Sequence, residues 1–314
     1  MKKNLTIIII FLICSLNTSY AQFDLGTIIQ KVGPEYAEKY LSPFTTGLGT
    51  NLNSGFLGGY SPSGYSKIPI WPHIYAGVKF TGVMMKNNDK YFNLGFTTTE
   101  TVGNTQQTID WTVYNAPTVF GNSKPPVATG KIRSTGQTIT KELIGGIEDT
   151  KFIPLIIPQI GIGTIFGTDI IFRTVPGVKV GDYGSFKLFG GAIRHCIGSY
   201  AKMPFDIAVQ FGIQTFGIKD AYDNKFIDAS STFVNLQFNK SFPIVSIYGG
   251  AQYENYKVDV NYKYGSTLIS FSQKGDNHFR GIAGATVSLG PAKFNADLNF
   301  GSIFAFTAGL GFGI

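Results

Sequence analysis

Alternation with a period of two dominates the second half of the chain. Across 205–216, Phe205, Ile207, Val209, Phe211 and Ile213 fall on one face, and Asp206, Ala208, Gln210, Gly212 and Gln214 on the other. Across 292–300, Ala292, Phe294, Ala296, Leu298 and Phe300 alternate with Lys293, Asn295, Asp297 and Asn299. Across 279–289, Phe279, Gly281, Ala283, Ala285, Val287 and Leu289 oppose Arg280, Ile282, Gly284, Thr286 and Ser288. Side chains of a strand point alternately to its two faces, so each stretch is a strand with one apolar and one polar side. A soluble sandwich shows the same alternation. Strand lengths near the ~9–11 residues of a tilted membrane strand, and a polar face that mixes charges with Gly and Asn, favour a transmembrane antiparallel up-and-down β-barrel.

Slips of parity predict the turns. The phase changes across Glu254-Asn255, where Tyr253 gives way to Tyr256, Val258 and Val260, and again across Gly265-Ser266. Gly290-Pro291 and Gly301-Ser302 are turn pairs on backbone grounds. From Ile153 onward this predicts eleven strands: 153–165, 169–180, 185–197, 204–217, 230–240, 243–253, 256–264, 267–273, 278–289, 292–300 and 303–314. Upstream, His73–Met84 is a clear strand, and Tyr91–Thr99, Thr108–Tyr114 and Val127–Ile139 are candidates. A closed barrel with both ends on one side needs an even number, so the expectation is 14 strands, within 12–16. The alternation of the last strand continues to Ile314, the form that outer-membrane assembly machinery accepts. Polar connections at 218–228, 274–277 and 142–151 are expected outside the cell and tight turns in the periplasm. Phe189, Phe216 and Tyr248 are candidates to point into the lumen.

A different period governs the N-terminal part. Leu25, Ile28, Ile29, Val32, Tyr36 and Tyr40 recur at helical spacing, and Gly33-Pro34 is expected to divide this stretch into two short helices. Such a segment, within 22–60, either plugs the lumen or packs on the rim, with the barrel itself at 61–314. Before it, Met1-Lys2-Lys3, an apolar run to Leu16 and Ser19-Tyr20-Ala21 form a secretory signal peptide, expected to be cleaved after Ala21. The run is too short to span a bilayer as a helix, and Ile13 stands where a small residue precedes a lipidated cysteine, against Cys14 as a lipid anchor.

Composition sharpens the class. Only 14% of residues are charged, 14% are aromatic and 39 are Gly, whereas soluble domains carry about 25% charged residues. Loss of Lys2 and Lys3 takes the net charge from +7 to +5, scattered along the chain, which gives no nucleic-acid surface. Cys196 would be the sole mature cysteine, so no intramolecular disulfide or thiolate zinc site is expected. His73, His195 and His278 are far apart in sequence. Gly161-x-Gly163-x-x-x-Gly167 has the wrong spacing for a dinucleotide loop, and no catalytic, metal or cofactor residues are expected. Gly190-Gly191 is a candidate bulge that leaves the facing of Arg194 and His195 open. Lumen-facing candidates are Asp169, Arg173, Asp206, Gln210, Lys293 and Asp297, read as a charge network in preference to a substrate site.

Tyr36-Ala37-Glu38-Lys39-Tyr40-Leu41-Ser42-Pro43, with Gly47-Leu48-Gly49 and Leu52-Asn53-Ser54-Gly55, resembles the opening of an uncharacterised outer-membrane barrel family of Bacteroidetes and related bacteria. Ile157-Pro158-Gln159-Ile160-Gly161-Ile162-Gly163, Gly167-Thr168-Asp169, Arg173, Pro176 and Met203-Pro204-Phe205-Asp206 resemble it again, with Arg194-His195 where the family pattern has Lys-His. The resemblance implies a fold and an outer-membrane location but no ligand. A helical segment followed by about 14 strands is also similar in architecture to long-chain fatty-acid transporter barrels. The function expected from these readings is a passive or gated channel for small compounds, hydrophobic ones among the candidates, with a structural scaffold barrel as the alternative; its partners would be outer-membrane lipid and the barrel assembly machinery.

Overall fold

The computed structural model describes residues 25–59, 73–146, 152–164, 167–179, 185–197, 203–219, 225–264 and 267–314. The signal-peptide reading of 1–21, the apolar stripe before Tyr36 and the turn at Gly265-Ser266 concern residues or side chains outside that set.

Among the described residues one α-helix, α1 (Leu25–Leu52), precedes fifteen strands. They are β1 (His73–Met84), β2 (Tyr91–Val102), β3 (Thr105–Pro117), β4 (Val127–Ile132), β5 (Thr138–Glu142), β6 (Phe152–Gly163), β7 (Thr168–Lys179), β8 (Ser185–Cys196), β9 (Asp206–Lys219), β10 (Lys225–Ser241), β11 (Val245–Tyr264), β12 (Thr267–Lys274), β13 (Phe279–Leu289), β14 (Ala292–Phe300) and β15 (Phe304–Gly313). Ten of them close a ring of antiparallel neighbours, β1-β6-β7-β8-β9-β10-β11-β13-β14-β15, sealed where β15 pairs with β1 from Tyr75↔Gly313 to Met84↔Phe304. β12 continues the far edge of β11 beyond the ring. β2–β5 form a separate four-stranded sheet inserted between β1 and β6.

The expected count of 14 is therefore corrected to ten in the ring, for two reasons besides the placing of β12 outside it. The upstream candidates are strands, but they build the inserted sheet. Glu254-Asn255 is no turn either: β11 runs through it unbroken, pairing with β10 from Ile227↔Val260 to Ser241↔Ser246. Its even positions face inward throughout, from Tyr248 and Gln252 to Tyr256, Val258 and Val260. What changes at 254–255 is the surroundings. The inner face turns from polar to apolar, while the outer face turns from Tyr253 to Asn255 and Lys257.

The ring has two unlike ends. At the turn end, four residues or fewer separate Gly163 from Thr168, Ser241 from Val245 and Leu289 from Ala292, with Gly290 at φ +60°; the link 197–205 is longer. β1 starts and β15 finishes there. The loop end carries the inserted sheet, the extensions of β10 and β11, and β12. Along the outside of the ring, Val209, Phe211 and Ile213 on β9, Val234, Leu236 and Phe238 on β10, and Leu310 and Phe312 on β15 are exposed apolar side chains. Phe189 belongs to this outer face, 65% exposed, contrary to its expected inward direction; Phe216 and Tyr248 are buried inside. Gly190-Gly191 keeps register with β7, and the irregularity in that pair falls instead at Val175/Val178, beside Pro176.

Candidate functional site

The interior of the ring is filled by the chain's own N-terminal part. α1 is a single helix that passes Gly33-Pro34 without a break, correcting the expected division. Proline costs a helix one hydrogen bond and bends it; burial of Tyr36, Ala37, Tyr40 and Leu41 immediately after it holds the continuation in place.

At the loop end the contacts of α1 are mainly apolar, with a few hydrogen bonds. The Tyr36 ring lies 5.1 Å from Phe92 and 6.3 Å from Phe96 of the inserted sheet. Tyr40 donates its hydroxyl to the carbonyl of Gly145 at 3.1 Å. Leu48 and Leu52 join one buried cluster with Val83, Ile153, Val258, Val260 and Ile303. Gly49 allows α1 to approach β11: a methyl group there would stand 2.1 Å from the Tyr256 ring.

From Thr50 to Gly59 the contacts become polar and directional. Arg280 Nη1 donates to Ser54 Oγ at 2.7 Å and to the Thr50 carbonyl at 3.3 Å, while its Nη2 pairs with Glu254 at 2.9 Å, both side chains fully buried. Asn277 donates to the other Glu254 oxygen at 2.7 Å and to Thr50 Oγ1 at 3.3 Å. The Leu52 carbonyl accepts from Arg173 at 3.2 Å and from Gln214. The Arg173 guanidinium also lies 3.4 Å over the Phe56 ring, which packs on Phe233. Gln252 donates to the Asn53 carbonyl at 3.2 Å. Lys79 Nζ donates to the Gly58 carbonyl at 2.7 Å and to Asn295 at 2.6 Å, and Thr286 Oγ1 accepts from the Gly59 amide at 3.3 Å.

Asp169, Arg173, Asp206, Gln210 and Asp297 of the sequence-predicted set are buried within the ring. Arg173 alone among them hydrogen-bonds the lumenal segment in the contacts described above. Asp169 pairs with Arg194 at 2.6 Å, Asp206 accepts from Asn239 at 3.4 Å, and Gln210 Oε1 accepts from Asn235 at 3.1 Å and Gln237 at 2.6 Å. Asp297 accepts from the Tyr248 hydroxyl at 3.1 Å and from Asn299 at 2.7 Å. Lys293 shares their inward parity but stands half-buried at the turn-end rim, 3.4 Å from the Gly290 carbonyl. Lys79, Gln252, Glu254 and Arg280 were missed as site residues. Their signal was present, since Lys79 and Arg280 sit on the polar faces of plainly alternating strands.

These charges are matched to one another and to the segment. Among the described residues no group of three or more His, Cys, Asp or Glu side chains could hold a metal ion. The histidines are dispersed, with His73 and His195 at the turn end and His278 at the loop end. An outward-facing cleft of about 280 Å³ includes Ser230, Thr232, Asn255, Lys257, Lys274 and His278 in its lining. It sits where the exterior turns polar beyond Val234 and Tyr253.

Residues 1–314, the whole chain, match a family described as a family of unknown function (DUF6588). The chain belongs to that family. No curated protein matches this member. Solved structures similar to it include the beta domain of the Bordetella autotransporter BrkA (9% identity, TM-score 0.33, 77% of this chain and 99% of that one). The outer-membrane protease OmpT from Escherichia coli is another (11%, TM-score 0.30, 80% and 100%). A third is the monoaromatic hydrocarbon channel CymD (8%, TM-score 0.24, 87% and 97%).

Proposed function

We propose that this member of DUF6588 is an outer-membrane β-barrel that serves as a gated channel for small compounds, with residues 45–59 as the gate and the described state closed. Support for membrane embedding comes from the closed ring, which leaves no unpaired strand edge in the bilayer, and from its exposed apolar exterior. The rule of short periplasmic turns puts the turn end in the periplasm and the loop end outside the cell. Export by a cleaved signal peptide and insertion by the barrel assembly machinery belong to the same reading. Hydrophobic compounds are one candidate cargo.

The polar joint between residues 50–59 and the wall is what suits the segment to a gate. Hydrogen bonds exchanged for bonds to water change free energy little, about 0.5–1.5 kcal/mol each. A joint made of them can open into a hydrated lumen where an apolar one would resist. Planar-bilayer conductance tests this. The full chain is expected to be silent, and deletion of 25–59 to conduct. Deletion of 25–42 alone leaves 45–59 in place and should stay silent. A 25–59 deletion that retains the heat-modifiable migration of a folded barrel yet does not conduct would remove the channel reading.

A second reading, a barrel that anchors a surface scaffold, draws on the body built at the loop end by the inserted sheet, β10–β12 and α1. It predicts a stoichiometric partner that co-purifies and is lost when β2–β5 are replaced by a short turn.

A further inference from the structure

The lumenal segment has a direction, and β13 measures it. Thr50 meets Asn277 just before that strand, Ser54 meets Arg280 at its loop-end start, and Gly59 meets Thr286, six residues further toward the turn end. The other strands agree. Asn51 donates to the Ile153 carbonyl at the loop-end start of β6 at 2.8 Å, and the Gly58 carbonyl meets Lys79 deeper in the ring. In the opposite direction α1 climbs away from the ring. Thr45 bonds Gln273 on β12 at 2.6 Å, and Tyr36 and Tyr40 reach the inserted sheet and Gly145. Tyr36 stands ~24 Å along the helix from Leu52 at 1.5 Å per residue. The chain thus runs down the lumen from the loop end toward the turn end, where β1 begins.

We propose that the N-terminal end of α1, and any mature chain ahead of it, is displayed outside the cell, on the opposite side of the membrane from the end of β15. Ten strands return the chain to the side on which β1 starts; the lumenal passage adds one crossing and makes the total odd. The barrel has carried a piece of its own polypeptide across the membrane. This rests on the membrane orientation proposed above, and the test separates the two.

Single cysteines are placed in the full chain with Cys196→Ala, at Glu35→Cys on the exposed side of α1, Thr135→Cys at the tip of the inserted sheet, and Pro291→Cys in the β13–β14 turn. Whole cells are treated with a membrane-impermeant maleimide before and after permeabilisation. Glu35→Cys should label on intact cells to the same extent as Thr135→Cys, with Pro291→Cys at background until permeabilisation. Labelling of Thr135→Cys on intact cells with Glu35→Cys protected until permeabilisation would overturn the threading and leave the barrel's orientation standing. Labelling of Pro291→Cys on intact cells, with Thr135→Cys and Glu35→Cys both protected, would invert the orientation and overturn the display while the threading survives.

Discussion

Two halves of one lumen are packed by opposite means. Around α1 the wall offers Val83, Ile153, Val258 and Ile303; around residues 50–59 it offers Arg173, Arg280, Gln252, Glu254 and Lys79. Hydrocarbon contact is non-directional and scales with the area covered, so it holds α1 against the loop end but leaves its rotation loosely set. Hydrogen bonds and ion pairs are directional, and each buried group must find its partner. The polar half therefore fixes register, and the apolar half contributes cohesion.

The contrast predicts different modes of failure. The largest effect is expected from Arg280→Met, which leaves the Glu254 carboxylate buried beside no cation and costs about 3–5 kcal/mol. Urea unfolding in liposomes measures this, and Arg280→Met with Glu254→Leu should recover most of the loss. A double variant as unstable as the single one would mean that the polar half works by volume. Next comes Leu52→Ala in the apolar half, about 2–5 kcal/mol from lost burial and the cavity left. Leu52→Met should cost under about 1.5 kcal/mol in the same assay, since volume is what counts there. Arg280→Lys should not be tolerated comparably, because an ammonium cannot replace a planar guanidinium that meets Ser54, Thr50 and Glu254 together. Gly49→Ala forces the Tyr256 ring to move and should cost about 1–3 kcal/mol in the same unfolding assay.

The smallest effect lies in the inserted sheet. Hydrogen bonds from Arg133, and then from Thr97, hold the Asp110 carboxyl down to about 2. A depressed carboxylate contributes stability above its unfolded value of roughly 3.9, and that contribution is lost as pH falls through about 2. The pair is fully exposed, so the loss should stay local. Amide exchange at the β3–β4 pairing should rise only near that pH, and Asp110→Asn should abolish the step.

Much of the barrel was legible from residues. The alternation placed β1, β6–β10 and β13–β15 within a few positions, because one face of each meets an apolar exterior. The failure at Glu254-Asn255 has a physical cause. A strand that runs past the band of exposed apolar side chains, as β11 does beyond Tyr253, exchanges the characters of its two faces, and on paper this has the form of a turn. The lumenal charges were legible as inward-facing, for instance Asp169 and Arg173. Their partners were not, because contacts such as Arg280 to Ser54 join positions more than two hundred residues apart. The continuity of α1 past Pro34 was hidden as well, since it depends on the inserted sheet that buries Tyr36 and Tyr40.

The seam between β1 and β15 carries a consequence for time. Its ten paired positions join the first and last strands of the ring, so the ring cannot close until β15 has been synthesised. The wall surrounds residues 50–59 from several sides at once, with bonds from β1, β7, β11 and β13. A segment bound to so many strands is most simply enclosed while the seam is still open, which would make it the mandrel on which the cylinder is wound.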